Sequence, residues 1–372
     1  MTVRLLAFTQ KGMELARRLA AELSGEAARC GEGCTLDAWT ADAFANADAL
    51  VYVGAAGIAV RAVAPYAGNK ASDPAVVAVD ECGRFAVPLL SGHLGGANRL
   101  ARRIGAVCGA LPVITTATDA NGAFAVDEWA VRQGCCVLDV PRIKRVSAKI
   151  LAGGTAVLRS PWPVAGTPPA GVAADGGAFD FELTVHSADA GALRLVPRIA
   201  VLGVGCRKGI GQQAMEEAFA ALLAQSGLCA EAFYKVCSID LKRDEPGLRA
   251  FCAAHGFAFE TFSAAQLAAV EGRFSSSGCV QSVTGVDNVC ERSAVLGSGG
   301  TLYCKKQAGG GVTMAAAMAH GGHGVQRGRG RVRHGRAAFA ACRGIRRRGG
   351  GGGAGRHLGA LGRGGAGRAA DA

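Results

Sequence analysis

Residues 76–98 read VVAVDECGRFAVPLLSGHLGGAN: two short apolar runs divided by a charged turn and followed by a glycine-rich loop around one histidine. The runs are rich in Val, Leu and Phe and are broken by Glu81-Cys82-Gly83-Arg84, so both are expected to be strands. His93 then falls on a loop, and residues 97–107 carry a helical pattern with Leu100, Ile104 and Val107 on one face. A strand, a polar glycine loop and a helix start together suggest a site. Working outward, strand-like runs at 3–8, 49–53, 111–115 and 135–140 alternate with helical patterns at 12–23 and 58–64. That alternation predicts an α/β class with mostly parallel sheets covered on both faces.

The composition changes after residue 149, and 160–177 is rich in Pro, Ala and Gly without a period, as in a linker or surface excursion. Strand-like residues at 181–186 and 192–196 can complete a small middle segment. A second α/β unit opens with a strand at 198–203 and a helix at 212–225, whose Met215, Phe219, Leu222 and Leu223 share a face. The expected organisation is an amino-terminal α/β domain over 1–130, a variable middle segment and linker over 131–197, a carboxy-terminal α/β domain over 198–319, and a basic tail over 320–372.

The chain has 372 residues, half of them apolar, enough for two or three domains with real cores. Its formal charge of +12 would suggest a nucleic-acid partner, but the tail alone holds 12 arginines against one acid, Asp371, and the body is close to neutral. An RNA-binding arm would interleave aromatics for stacking, and the tail offers only Phe339. Arg, Gly and Ala share GC-rich codons, so the tail reads as a disordered extension from a shifted reading frame, and no nucleic-acid partner is expected. Fourteen cysteines lie scattered through apolar segments without the doubled CxxC spacing of a zinc site. Buried reduced thiols in a cytoplasmic protein with no metal of its own are expected. The longest uncharged apolar run, 49–60, is shorter than the roughly 20 residues of a membrane span, so no membrane partner is expected either.

Residues 201–211, VLGVGCRKGIG, look at first like a dinucleotide loop. Gly203, Gly205 and Gly209 are spaced GxGxxxG rather than GxGxxG, however, and no acid follows about 20 residues later to hold a ribose. The backbone N–H groups beside Arg207 and Lys208 can cradle an anion; a tight strand-to-helix turn explains the same residues equally well. Ser238, Asp240 and Lys242, with Asn288 and Glu291 farther on, gather near strand ends, where α/β units place ligands. In the first unit Gly54-Ala55-Ala56-Gly57 joins a strand to a helix and leads to Arg61. His93, flanked by glycines, is expected to meet solvent or ligand rather than core. Asp80 and Glu81 stand at a strand end ahead of the turn.

The runs GAAGIAVRAVAP (54–65) and DPAVVAVDECGRFAVPLLSGHLGGANRLARRIG (73–105) closely resemble the cobalt-precorrin 5A hydrolase family of anaerobic cobalamin biosynthesis. GVGCRKG, SIDLKRDEPGL, FSSSGCV, TGVDNVCE and VTMAAA resemble that family's last domain. Ile210-Gly211 departs from the small polar residues more usual there, and the tail matches nothing in the family. The resemblance implies hydrolysis of the δ-lactone of cobalt-precorrin 5A, with loss of the extruded carbon as acetaldehyde to give cobalt-precorrin 5B. It implies no cofactor, because cobalt arrives inside the substrate, and leaves room for other cobalamin-pathway enzymes as partners. For that chemistry His93 is expected to be the base, Asp80 or Glu81 to orient its ring, and Asn98 to donate to the carbonyl oxygen or cap a helical turn. Backbone N–H groups around Gly92, Gly95 and Gly96 are expected to stabilise the oxyanion. Arg61, Arg99, Arg207, Lys208 and Lys242 are candidates for substrate carboxylates, and Gly54, Gly57, Ser91, Gly203, Gly205, Ser238, Asp240, Asn288 and Glu291 complete the candidate contacts. No GxSxG elbow is present, so attack by water is expected rather than an acyl-enzyme. The rival reading is a non-catalytic tetrapyrrole carrier.

Overall fold

Uncharged five-residue runs suit the centre of a sheet covered on both faces, because they can bury both sides of the pleat. Such are β3 (Ala49–Val53) and β4 (Ala75–Val79), buried at every residue in the computed structural model. Residues 1–69, 72–163, 167–174 and 177–319 are described; the tail from 320 lies outside the described residues. The two strands join β1 (Val3–Ala7), β2 (Glu26–Arg29), β5 (Phe85–Leu90) and β6 (Leu111–Pro112) in a sheet of order β2-β1-β3-β4-β5-β6. Helices α1 (Gln10–Leu23) and α4 (Ala97–Cys108) cover one face through Met13, Leu19, Leu100 and Ile104. α2 (Leu36–Asn46) and α3 (Ala56–Val63) cover the other through Trp39, Ala43, Ala59 and Val63.

The turn at 81–84 reverses the chain. β5 runs antiparallel to β4, with Ala86 beside Val79 and Leu90 beside Val76, and β6 runs parallel to β5. The loops after β5 and β6 therefore emerge together, at the edge where β3 and β4 begin. Asp80 lies at one end of β5 and His93 beyond the other. Six extended residues span about 20 Å, so these near neighbours in sequence occupy opposite edges of the sheet.

The segment expected as a variable middle part and linker folds into a second sheet, with strands on both stretches expected to be strand-like, 181–186 and 192–196. Its strands β7 (Cys135–Val137), β8 (Ala156–Arg159), β9 (Val172–Ala174), β10 (Phe181–Leu183) and β11 (Leu193–Pro197) take the order β7-β11-β10-β8-β9. After the short α5 (Ala117–Ala120), α6 (Val126–Arg132) packs here with α7 (Ile143–Leu151). Phe124, Trp129 and Phe181 form an aromatic cluster, and Leu94 of the glycine loop packs on the same core. The expected boundary at 130 thus falls inside α6, whose apolar face belongs to the middle unit.

The last unit has a five-stranded sheet of order β14-β13-β12-β16-β15. β12 (Ala200–Cys206), β13 (Phe233–Ile239) and β14 (Ala258–Phe262) are parallel; β15 (Thr301–Gly309) and β16 (Val312–Met318) form an antiparallel pair beside β12. Helices α8 (Gln212–Ser226), α9 (Pro246–His255), α10 (Ala264–Ala268), α11 (Gly278–Thr284) and α12 (Cys290–Ser298) complete it. Burial pushes the Cys237, Cys252 and Cys290 thiols up to about 12, so these cysteines are neutral apolar core groups. No helix among the described residues is long and apolar enough to cross a membrane.

α12 approaches β12 and β13 through glycines. A Cβ on Gly203 would stand 1.8 Å from the Cys290 carbonyl oxygen, and one on Gly297 would stand 2.2 Å from Cys237 Sγ. Backbone cannot yield as a side-chain tip can. Gly203→Ala is expected to lower stability by about 3 kcal/mol, read as a lower urea midpoint; an unchanged midpoint would contradict this packing role.

Candidate active site

The loop after β5 is shaped by close approaches that only small residues permit. Ser91 takes a left-handed conformation, φ +55°, and its hydroxyl donates to the Asp73 carbonyl at 3.0 Å. A Cβ on Gly95 would meet Ser91 Cβ at 2.3 Å, and one on Gly92 would meet Asn98 Oδ1 at 2.8 Å. The Ala97 and Asn98 N–H groups donate back to the carbonyls of Ser91 and Gly92, which folds the loop onto the start of α4. The loop thereby presents His93 to α5 and α6.

There the imidazole bridges two carboxylates. Nδ1 lies 3.0 Å from Asp127 Oδ1 on α6, and Nε2 lies 2.8 Å from Asp119 Oδ2 on α5. Asp119 Oδ2 also accepts from Thr116 Oγ1 at 2.5 Å and Asn98 Nδ2 at 3.0 Å, while Arg102 binds its other oxygen. Arg102 extends toward Glu128, 4.0 Å away. The His93 side chain is 12 % exposed, in an enclosure lined by Asp119 and Asp127. It is not sealed in hydrocarbon.

The hydrogen bond that Nδ1–H donates to Asp127 contributes most to the imidazolium; burial opposes it, Asp119 adds to it, and the His93 pKa is raised to about 9. Burial works against the Asp119 carboxylate, but hydrogen bonds from Thr116, His93 and Arg102 outweigh it and hold that group at about 2. At neutral pH the pair is therefore imidazolium and carboxylate. His93, Asp119 and Glu128 each offer a ligand atom within 4.8 Å of the others, spacing that could admit a metal ion. The Arg102 guanidinium already supplies positive charge to both acids, so the arrangement as it stands is an ion-pair network.

Several sequence expectations are corrected by this geometry. Asp80 and Glu81 do not orient His93, because the reversed β5 carries them to the far edge. Asp80 accepts the N–H groups of Cys82, Arg84 and Phe85 within its own turn, and Glu81 accepts from the Thr9 hydroxyl at 2.8 Å. Gly54 and Gly57 lie at that edge too. A Cβ on Gly54 would strike the Phe8 ring at 2.6 Å, and Arg61 turns back to the Gly57 carbonyl. Asn98 is buried and holds Asp119 and Thr116 instead of reaching outward. The Gly96 N–H is taken by the His93 carbonyl, which removes it as an oxyanion donor.

In the last unit the anion cradle is filled by the chain itself: the Gly209 N–H donates to Glu245 at 2.7 Å, and Lys242 pairs with the same carboxylate at 3.3 Å. Gly203 serves packing, and a Cβ on Gly205 would press on Thr313 Oγ1 at 2.7 Å. Ser238 is buried and donates to the Val204 carbonyl, and Asp240 opens a short 3-10 turn after β13. Glu291, fully buried, accepts from Ser275 N, Ser275 Oγ and Lys306 N, and Asn288 ties the same loop through the Ser275 carbonyl. Ser238, Asn288 and Glu291 thus satisfy backbone rather than face a ligand. Arg99, Arg207 and Lys208 remain as exposed cations.

Arg102, Thr116, Asp119, Asp127 and Glu128 were not expected from the sequence. The available signal was the polar run TTATDAN at 115–121 after a strand, and the acidic pair opening α6.

A family model described as Cobalamin synthesis G N-terminal matches residues 38–119, which takes in His93, Asn98, Arg102, Thr116 and Asp119. A second, Cobalamin synthesis G C-terminus, matches residues 200–317. Over 346 residues the chain is 33% identical to the cobalt-precorrin-5A hydrolase of Salmonella typhimurium, a match covering 86% of this chain and 98% of that one. The chain belongs to the cobalt-precorrin-5A hydrolase family. Another member, from Priestia megaterium, is 29% identical over 74% of this chain and 79% of its own. A solved homolog of cobalamin biosynthesis protein G from Sulfolobus solfataricus is 18% identical, with a TM-score of 0.39 over 86% of this chain and 97% of that one. In this family member the histidine cluster spans the end of the amino-terminal match and α6 just beyond it.

Two outcomes follow from the charge arrangement. Because the His93 pKa stands above its ordinary 6.5, the pairing stabilises the fold fully below pH 6.5 and is lost as pH rises through about 9. Wild type should lose on the order of 3 kcal/mol across that window in chemical denaturation, and His93→Gln should lack that slope. Glu81→Gln, at the far edge, should leave catalytic turnover within about twofold of wild type; a loss as large as that of a His93 variant would restore Glu81 to the site.

Proposed function

We propose that this chain hydrolyses the δ-lactone of cobalt-precorrin 5A and releases the extruded carbon with its methyl group as acetaldehyde, giving cobalt-precorrin 5B in anaerobic cobalamin biosynthesis. Family membership at both ends of the chain supports the reading. The structural observation that carries it is His93, an accessible imidazole clamped between carboxylates in the family-matched loop. A tetrapyrrole carrier needs charge to hold its cargo but no proton-loaded ring, so the carrier reading is not favoured.

The sequence suggests a base; the raised pKa of the paired ring supports His93 acting first as an acid. With its proton in place at neutral pH, Nε2–H can leave Asp119 for the ring oxygen of the lactone. Water adds to the carbonyl carbon and the ester C–O bond breaks, its electron pair staying on the oxygen that takes the His93 proton. The attacking water sheds its protons to solvent as the product carboxylate forms. The neutral imidazole then accepts the new hydroxyl's proton while the carbon–carbon bond to the leaving fragment breaks. That bond's electron pair goes to the macrocycle carbon, which takes a proton from solvent, and acetaldehyde departs. Imidazolium is restored. Cobalt enters within the substrate, and this route calls on no resident cofactor. Arg99, Arg207 and Lys208 are exposed cations suited to the macrocycle's carboxylates.

Acetaldehyde release from cobalt-precorrin 5A is the test. His93→Ala should lower turnover about 1,000-fold while macrocycle affinity stays within about threefold, and wild-type turnover should fall as pH rises through about 9. Full activity in His93→Ala would remove His93 from the chemistry, and a wild type that binds the macrocycle but yields no acetaldehyde would be a carrier.

A further inference from the structure

We propose that Asp127, supplied by the middle unit, is the positioning residue of His93, so that the active site is complete only where the first sheet and the middle unit join. The inference rests on the hydrolase reading above. Asp127 lies in the first turn of α6, where the helix dipole favours a negative charge, and its side chain is 7% exposed. Its Oδ1 meets Nδ1 of His93 at 3.0 Å and also accepts the Glu128 N–H at 3.1 Å, which fixes the carboxylate's plane. The residues around it, Val126, Trp129 and Ala130, are anchored in the middle core, and Leu94, next to His93, enters that core from the first unit. One apolar contact and one charged hydrogen bond thus hold adjacent residues of the same loop.

The two carboxylates do different work. Asp119 is gripped by Thr116, Asn98 and Arg102 as well as His93, so it keeps its own partners when Nε2 turns to substrate. Asp127, at Nδ1, keeps the ring from rotating during that exchange and decides which nitrogen faces the lactone. The charged groups facing the ring are Asp119 from α5, Asp127 and Glu128 from α6, and Arg102 from α4. Loss of Asp127 removes the negative charge in contact with Nδ1 and leaves the other three in place.

The experiment compares wild type, Asp127→Asn and Asp127→Glu as full chains, following acetaldehyde release across pH about 6 to 10. Asp127→Asn should lower kcat about 100-fold with KM within about threefold, and its alkaline limb should move to lower pH; Asp127→Glu should recover much of the rate. In parallel, the His93 ring is titrated by NMR in nitrogen-labelled protein without substrate, and its midpoint should fall in Asp127→Asn. Wild-type kcat with an unmoved alkaline limb in Asp127→Asn would overturn the proposal. So would a loss that Asp127→Glu does not restore, accompanied by an unmoved His93 midpoint. Absence of acetaldehyde from wild type would instead overturn the hydrolase reading, and the catalytic role of Asp127 with it, while the NMR titration would still report whether the pairing exists.

Discussion

The imidazolium of His93 between Asp119 and Asp127 is the interaction around which residues 91–128 are arranged. Taking an ion from water costs several kcal/mol, and a buried charge persists only when paired and hydrogen-bonded. Here the costs are met mutually: two carboxylates share one imidazolium, Arg102 balances Asp119, and Thr116 and Asn98 occupy the remaining lone-pair directions. The left-handed Ser91 and the glycines at 92 and 95 let the loop approach α4 closely enough for Asn98 to reach Asp119. The ring proposed for catalysis is thus also a structural joint, because the pairing that holds its proton ties the first sheet to the middle unit.

The position of that cluster follows from strand direction. Ligands of open α/β sheets gather beyond the carboxyl ends of strands, at switch points of the strand order. The first sheet has such a point between β1 and β3, where Phe8 and Gly54 meet. The histidine site lies at the other edge and yet obeys the same rule, since it stands beyond the carboxyl ends of β5 and β6, the two strands that run backwards. The parallel pairing of β5 with β6 brings the loop carrying Asp119 alongside the loop carrying His93.

The last unit shows why polar residues near strand ends mislead. Ser238, Asn288, Glu291 and the Gly209 loop have the residue types of a binding site, yet each spends its hydrogen-bonding capacity on the chain's own backbone or carboxylates. Loops that leave a buried sheet must satisfy N–H and C=O groups that helices and strands would otherwise pair, and buried side chains do so here. Among the described residues, the side chains of exposed Arg207 and Lys208 have no such duty.

Local pattern was sufficient for the α/β class, for the uncharged central strands, for the amphipathic helices over α1 and α4, and for the placing of His93 on a glycine loop outside the apolar core, because those properties depend on the period of apolar side chains and on glycines beside one titratable group. The family resemblance was legible for the same reason, in contiguous motifs. Tertiary structure alone decided which acids serve His93. Asp80 and Glu81 are near it in sequence but a strand's length away in space, whereas Asp119 and Asp127 stand 26 and 34 residues on and touch the ring. Strand direction and helix docking set those distances, and both are fixed by contacts between segments, which no single stretch of residues contains.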